Sequence, residues 1–306
     1  MSERIIKKKF PQFKMEFADV NNIKLHYVKA GPEEGDLIVF LHGFPQFWYM
    51  WREQLLEFSK DYLVVAPDMR GYNLSSKPKE IKQYHLKYII EDLRALVEDY
   101  LGRNKFILVG HDWGGVVAYP FASVYPNLVK KLIIINAPHP NVFAKLIAQN
   151  KSQQSSSQYF LNFRSNKAEN SLSADNYSLL LNIITTSEMK FTDDDRQIYI
   201  EAWSQPGALT GGLNYYRASR LVPPSLGGKI SQVMIEPFKI SPILINVPTL
   251  VIWAERDTAL TVHNLEGLDE FIPELTIKRI PNGSHWVINE QSEKVNSLIR
   301  DFIKIT

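Results

Sequence analysis

Short hydrophobic runs recur along the chain, separated by turns and by stretches of mixed polarity. These runs are Asp36–Leu41, Tyr62–Ala66, Lys105–Val109, Lys131–Ile135, Thr249–Trp253 and Leu275–Ile280. All but the last, which alternates, are nearly continuous apolar segments, and such segments are typical of strands buried on both faces of a parallel sheet. The pattern therefore predicts that these runs are strands of one sheet.

Helical periodicity fills the gaps between the runs. It covers Trp48–Phe58, Tyr84–Tyr100, Gly114–Tyr125, Asn264–Phe271 and Ser292–Ile303. Repeated alternation of strand, turn and helix predicts an α/β fold with a mostly parallel, doubly wound sheet. Ahead of this unit, Val20–Ala30 and the stretch near Phe13–Phe17 predict a leading antiparallel hairpin.

The alternation stops after residue 137, and no run typical of a buried strand follows until about residue 237. The composition of this stretch shifts toward Gln, Ser and Asn, with helical patterns at Ala174–Ser187 and Thr192–Ser204. We expect residues 1–137 and 238–306 to form the α/β core. Residues 138–237 are expected to form a helical cap inserted into it.

Composition narrows the class of protein. Of the 306 residues 45% are hydrophobic and 22% charged, as in ordinary globular proteins. The net charge of +2 gives no electrostatic reason to expect a nucleic-acid partner. Without Cys, the chain can use neither disulfides nor thiolate chemistry. No transmembrane stretch is visible, and no apolar segment of a signal peptide follows the basic start at Met1–Lys14, so we expect a solvated tail and a cytoplasmic protein.

The strongest chemical signal is the sequence GHDWGG at residues 110–115, between a predicted strand and a predicted helix. This is the G-x-nucleophile-x-G elbow, with Asp112 where hydrolases usually carry Ser. The tight turn pushes its central residue toward positive φ and leaves no room for neighbouring side chains. An isolated G-x-D-x-G is more often an Asp that caps a helix, so the assignment depends on partners elsewhere.

Those partners follow in the order that this elbow requires, with an acid and then a histidine. Asp257 lies four residues beyond the run that ends at Trp253, and His285 follows the last predicted strand. Both positions are at carboxyl ends of predicted parallel strands, where open α/β sheets place their sites. We therefore predict a catalytic triad of Asp112, His285 and Asp257.

The sequence HGFP at residues 42–45 directly follows another predicted strand. An HG motif at this place supplies a backbone N–H to an oxyanion hole, and the predicted donors are the N–H groups of Phe44 and Trp113. Pro45 is a candidate for a cis peptide bond. Phe44, Pro45, Trp113 and Tyr215 are the predicted substrate contacts.

A carboxylate nucleophile determines the class of reaction. Asp is already ionised near pH 7 and needs no base. Attack on an ester would give an unfavourable anhydride, whereas attack on a saturated carbon with a leaving group gives a stable ester on the enzyme. His285, oriented by Asp257, would then activate the water that hydrolyses this ester.

The leaving group distinguishes two enzyme classes. A halide needs only N–H donors, whereas an epoxide oxygen leaves as an alkoxide and benefits from an acid. The predicted cap contains such acids, since Leu213–Arg217 reads LNYYR and Tyr159–Phe163 reads YFLNF. Two tyrosines that face the nucleophile could protonate an opening epoxide ring.

These motifs together resemble the α/β-hydrolase-fold epoxide hydrolases over essentially the whole chain. The matching segments are residues 42–45, 110–115, 136–140, 214–217, Asp257 and 283–285. The resemblance implies conversion of a small-molecule epoxide and water into a diol, with no cofactor and no metal. It also implies that Tyr216 is one ring-opening acid and Tyr159 the other. In the family, this other tyrosine is followed four positions on by an aromatic residue and usually then by Gln. Phe163 fits this pattern, but Arg164 replaces the Gln.

Two alternatives remain open from the sequence. A haloalkane dehalogenase shares the GHDWG motif, although such enzymes often have Asn where Phe44 stands. A non-catalytic small-molecule receptor can use the same fold, although its triad would be expected to be degraded. His139, between two prolines, is expected to mark the hinge of the insertion without a catalytic role.

Overall fold

The hydrophobic runs form one eight-stranded sheet in the computed structural model, which describes residues 2–225 and 241–304. The strands are β1 (Lys14–Val20), β2 (Ile23–Ala30), β3 (Leu37–Leu41), β4 (Leu63–Pro67), β5 (Phe106–His111), β6 (Val129–Ile135), β7 (Thr249–Ala254) and β8 (Leu275–Ile280). Their order across the sheet is β1-β2-β4-β3-β5-β6-β7-β8. The pairs β1–β2 and β2–β4 are antiparallel, and all other neighbouring strands pair parallel.

This topology confirms the predicted doubly wound α/β fold. The chain places β4 on one side of β3 and then returns to build β5 to β8 on the other side. Every residue of β3, β4, β5 and β7 is buried, as their continuous apolar sequences predict. The β1–β2 pairing confirms the leading hairpin.

Helices occupy most of the remaining described chain. They are α1 (Ser2–Lys9), α2 (Arg52–Phe58), α3 (Leu86–Arg94), α4 (Trp113–Val124), α5 (Pro140–Gln149), α6 (Lys151–Ser156), α7 (Tyr159–Arg164), α8 (Ala168–Ile184), α9 (Asp193–Trp203), α10 (Ala208–Ala218), α11 (Val287–Glu290) and α12 (Ser292–Lys304). A π-helical turn, Ala95–Tyr100, extends α3, and a 3₁₀ turn, Trp48–Trp51, precedes α2. None of the helices in the described ranges is long and apolar enough to cross a membrane.

The predicted insertion contains helices and connecting loops, and no strand, where it is described. Helices α5 to α10 follow β6, and no strand occurs between residues 138 and 225. Helix α8 begins before the predicted helix Ala174–Ser187 and is broken at residues 174–177, where three residues have positive φ. The predicted return to the core near residue 238 lies outside the described residues.

The helix predicted at Asn264–Phe271 is wrong. The chain forms two 3₁₀ turns there, Val262–Leu265 and Leu268–Glu270. Gly267 lies between them with a φ of 73°, a left-handed conformation that interrupts a right-handed helix. The apolar spacing of this segment therefore reflects two turns packed on the core.

The basic start of the chain is also not a solvated tail. It forms α1, which buries Ile6. The backbone N–H and the hydroxyl of Ser2 donate to Glu201 of α9, and Lys9 pairs with Asp194 at 2.9 Å. Phe10, directly after α1, is buried as well, so the segment docks through apolar side chains and through polar partners up to 199 positions away.

Candidate active site

The turn between β5 and α4 presents Asp112 at the carboxyl end of the sheet. Asp112 has φ 51° and ψ −123°, the strained conformation that the elbow motif predicts. A Cβ atom at Gly114 would collide with the carbonyl oxygen of Leu41, and one at Gly43 would collide with the Asp112 carboxylate. Only glycine at these two positions allows β3 and its loop to approach the elbow so closely.

Backbone N–H groups on both sides face the Asp112 carboxylate. The Phe44 N–H donates to Oδ1 at 2.8 Å. The Trp113 N–H favours the charged carboxylate and so lowers its pKa. Burial raises the pKa of Asp112, and the charge of His285 with these hydrogen bonds offsets part of the rise. The Phe44–Pro45 peptide bond is cis. The two predicted oxyanion donors thus converge on the predicted nucleophile.

His285 joins the other two members of the predicted triad. Its Nδ1 lies 2.6 Å from Asp257 Oδ2, and its Nε2 lies 3.8 Å from Asp112 Oδ2. The second distance is too long for a hydrogen bond, so Nε2 is available to a water molecule. Burial alone would lower the pKa of His285, but the charge of Asp257 and the hydrogen bond to it outweigh burial and raise that pKa.

Asp257 is itself held by three further donors. Its Oδ1 accepts from the backbone N–H groups of Ala259 and Leu260 at 2.8 and 2.9 Å. Its Oδ2 accepts from Asn136 Nδ2 at 2.8 Å. Together with His285, these groups give each carboxylate oxygen two hydrogen-bond partners, so only one orientation of the Asp257 side chain satisfies all of them.

Asn136 holds the Asp257 carboxylate, a contact that the sequence patterns do not indicate. It follows β6 with a φ of 39°, and its side chain also exchanges hydrogen bonds with the backbone of Ala254 at the end of β7. It therefore connects two strand ends to the acid of the triad. Asn136 directly follows β6, and β6 is the neighbour of β7, the strand that precedes Asp257. This position in the sequence could have indicated the contact.

The two predicted acids approach from the helical insertion. Tyr159 begins α7 and Tyr216 lies near the end of α10, with ring centroids 6.1 Å apart. Burial raises the pKa of both phenols well above the ordinary value, and the charge of Asp112 raises both further. Both therefore keep their protons near neutral pH, within the electrostatic reach of Asp112.

A cavity of about 270 Å³ opens beside the carboxylate. Asp112, Trp113, Tyr159 and Tyr215 contribute to its wall. The rest of the wall is mostly aromatic and aliphatic and includes Val116, Phe143, Phe160, Leu221, Ile243 and Leu260. Such a cavity favours an apolar ligand with one polar group near Asp112.

The predicted substrate contacts divide into two groups. Trp113 and Tyr215 line the cavity, and the Tyr215 hydroxyl points away from it to donate to the carbonyl of Arg70 at 3.0 Å. The described residues that line the cavity do not include Phe44 or Pro45. The Phe44 ring packs on Tyr216 with centroids 5.5 Å apart, and the Pro45 carbonyl accepts from the Trp203 indole at 2.6 Å.

The other buried histidines near the site hold loops. His42 bonds the Gly43 carbonyl and the Met69 N–H, and burial lowers its pKa to about 4. His139 bonds the Ile243 carbonyl, and burial lowers its pKa to about 4 as well. The part of the chain that the structure describes contains no group of three His, Asp or Glu side chains suited to a metal.

Comparison with known proteins places this geometry in a family. A sequence model described as "alpha/beta hydrolase fold" matches residues 36–291. "Epoxide hydrolase 4" of Mus musculus is 35% identical over 298 residues, which are 93% of this chain and 77% of that protein. The AB hydrolase superfamily protein YfhM of Bacillus subtilis is 37% identical over 295 residues, which are 95% of this chain and 98% of that protein.

The solved structures agree. The epoxide hydrolase of Bacillus megaterium, determined in complex with an inhibitor, superposes with a TM-score of 0.86 at 33% identity. The match covers 94% of this chain and 99% of that one. The chain thus belongs to the α/β-hydrolase fold and, within it, to the epoxide hydrolases.

Proposed function

We propose that this protein opens epoxides to vicinal diols through a covalent ester on Asp112. The observation that carries the proposal is the position of one carboxylate between two sets of groups. Two tyrosines of the insertion that retain their protons lie near Asp112, since Tyr159 lines the same cavity and the Tyr216 ring packs on Trp113 with centroids 5.1 Å apart. The His285–Asp257 pair approaches Asp112 from the sheet. Displacement of a halide would use the same carboxylate, but a halide leaves without a proton and would give the two tyrosines no role as acids.

In the first step, a carboxylate oxygen of Asp112 attacks one carbon of the epoxide ring and displaces the ring oxygen. Tyr159 and Tyr216 donate hydrogen bonds to that oxygen, and one of them gives it a proton as the C–O bond breaks. These bonds strengthen as negative charge develops, so they lower the barrier more than they tighten substrate binding.

In the second step, His285 takes a proton from water, and the resulting hydroxide attacks the carbonyl carbon of the Asp112 ester. Asp257 stabilises the imidazolium that forms. The leaving alkoxide takes the proton of the attacking hydroxide, and the imidazolium proton returns through solvent to the tyrosinate left by the first step. The N–H groups of Phe44 and Trp113 stabilise the tetrahedral oxyanion, and the diol leaves with an oxygen that came from Asp112. One turnover in ¹⁸O-water should therefore label Asp112 before it labels the diol.

We infer further that residues 138–237 act as a cap over the α/β core formed by residues 1–137 and 238–306. The support is that the described helices of this stretch carry both tyrosines, whereas strand ends carry the candidate triad. Aromatic epoxides that fit the apolar cavity are the expected substrates. The cytoplasmic location stays a prediction that fractionation of the producing cells would check.

The test is a parallel turnover screen of aromatic epoxides, aliphatic epoxides and 1-haloalkanes, with Asp112→Asn as the control. Diol formation that requires Asp112, without halide release, is the expected result. Halide release without diol would establish a dehalogenase. Binding of all three classes without turnover would establish a receptor.

A further inference from the structure

Two arginines link α7 and α10 in opposite directions. Arg164, the last residue of α7, donates through Nη1 to the carbonyl oxygens of Tyr216, Arg217 and Ser219 at the end of α10. Arg217 of α10 donates through Nη2 to the carbonyl oxygen of Ser165, directly after α7, at 3.1 Å. Each guanidinium thus satisfies terminal carbonyls of the other helix, where a positive charge is favoured.

A carboxylate fixes the second arginine. Glu169 of α8 accepts from both terminal nitrogens of Arg217, at 2.7 and 2.8 Å. The hydrogen bond from Arg217 and its charge lower the pKa of Glu169 below the ordinary value despite partial burial. A bidentate pair of this kind fixes direction as well as distance. We call Arg164, Arg217 and Glu169 the arginine clamp.

The clamp acts on the same two helices that carry the candidate acids. Tyr159 and Arg164 are the first and last residues of α7, and Tyr216 directly precedes Arg217. A six-residue helix such as α7 has little stability of its own, so its position depends on tertiary contacts. The spacing of the two phenols therefore depends on what holds the ends of α7 and α10 together.

We propose that Arg164 and Arg217 are positioning residues for ring opening, which set the distance between Tyr159 and Tyr216 above Asp112. This inference rests on the proposed function, because it assumes that the two phenols are the acids. It assigns the clamp to ester formation alone, since Asp257 and His285 are held by strand ends and their loops. A misplacement of about 1 Å in such a pair can slow a reaction about a hundredfold.

The experiment measures the two chemical steps separately by rapid mixing with a chromogenic epoxide under single-turnover conditions. Arg164→Met and Arg217→Met remove the guanidinium but keep much of the apolar stem. We expect ester formation to slow by about 10-fold to 100-fold. Ester hydrolysis and substrate affinity should stay within about twofold of the parent. Arg164→Lys, which keeps the charge, should restore part of the lost rate.

Arg196→Met is the matched control, because Arg196 is exposed on α9 and takes no part in the clamp. The same arginine changes are also made in a Tyr159→Phe background and in a Tyr216→Phe background, each of which should keep measurable ester formation. If the clamp acts through the spacing of the two phenols, its effect on ester formation should be smaller there than in the parent. Additive effects in this cycle would overturn the proposal.

The remaining outcomes are also decisive. Unchanged ester formation in the arginine variants, or equal loss of both steps, would refute a role specific to ring opening. If the Met variants do not fold, Arg164→Lys and Arg164→Gln give the same comparison at smaller amplitude. Failure of the proposed function is distinct, because the parent enzyme would then form no ester on Asp112.

Discussion

The strand ends of the core and the short helices of the insertion hold their functional groups in different ways. In the core, backbone N–H groups and loops attached to the sheet fix Asp112, Asp257 and His285. In the insertion, Tyr159 and Tyr216 depend on helices joined by side-chain hydrogen bonds, foremost those of the arginine clamp. Backbone hydrogen bonds between strands fix the relative positions of the strand ends. The relative positions of the short helices depend instead on specific polar side chains.

On the proposed mechanism, this difference assigns the two regions to different chemical steps. The core would form and hydrolyse the ester at Asp112. The insertion would supply the acids needed when the leaving group is an alkoxide. A change in the insertion should therefore affect ester formation first, and a change in the core loops should affect ester hydrolysis first.

The largest expected effect comes from blocking ester hydrolysis, the step that we assign to the core. We predict that His285→Gln still forms the ester but does not hydrolyse it, because Asp112 needs no base whereas water does. Turnover should fall by at least about a thousandfold. After mixing with a reactive epoxide, intact-protein mass spectrometry should show the mass of one substrate added.

Peptide mapping gives the control for this trap. The added mass should lie on the peptide that contains Asp112, and His285→Gln combined with Asp112→Ala should gain none. An adduct on another residue, or a variant that binds substrate but stays unmodified, would mean that water attacks the epoxide directly.

The insertion is tested by removing its acids. Tyr159→Phe or Tyr216→Phe should lower the rate of ester formation by about 10²-fold, the usual contribution of a general acid. The double change should nearly abolish ring opening and leave substrate affinity almost unchanged, because the phenols act as charge develops. Normal single-turnover kinetics in the double variant would disprove their assignment as acids.

The rates of ester hydrolysis and of ring opening should depend differently on pH. Hydrolysis needs neutral His285, whose pKa Asp257 raises, so its rate should fall about tenfold per pH unit below a midpoint above about 6.5. Both phenols have pKa values well above the ordinary one, so neither step should decline up to about pH 9. Asp257→Asn should move the NMR titration of His285 to lower pH. A loss of ring opening between pH 8 and about 9 would contradict the protonated tyrosines.

The same contrast explains what the sequence could predict. Buried strands have a continuous apolar signature, and the turns after them carry short motifs. The fold and the convergence of Asp112, Asp257 and His285 at one edge therefore follow from local patterns. The insertion has no comparable pattern, so its helices were predicted only in part and the kink in α8 was missed.

Contacts between distant segments could not be predicted. Asn136 bonds to Asp257 across 121 positions, and Arg164 bonds to the end of α10 across more than 50. Helix α1 docks on α9 through partners 199 positions apart. Each of these residues is polar and unremarkable in its own neighbourhood. Only the packed fold reveals what it touches.

The smallest predicted effect is at Gln153, one of the residues through which the insertion contacts the core. Gln153 of α6 is fully buried, and its Nε2 donates to the Ala259 carbonyl at 2.9 Å. Its Oε1 accepts from the N–H and the hydroxyl of Thr261 at 3.0 and 2.9 Å. These bonds hold the loop whose N–H groups orient Asp257. A side chain of the insertion thus holds a loop of the core that, on the proposed mechanism, serves ester hydrolysis.

Gln153→Leu should leave the Thr261 N–H without its acceptor at a cost of about 1–3 kcal/mol in the free energy of unfolding. Because the loop then orients Asp257 less well, ester hydrolysis should slow severalfold while ester formation stays unchanged. Chemical denaturation and single-turnover kinetics measure the two effects. Gln154→Leu is the control, since Gln154 bonds the Ile147 carbonyl within the insertion and should leave hydrolysis intact. If Gln153→Leu instead slowed ester formation, the two regions would not divide the steps between them.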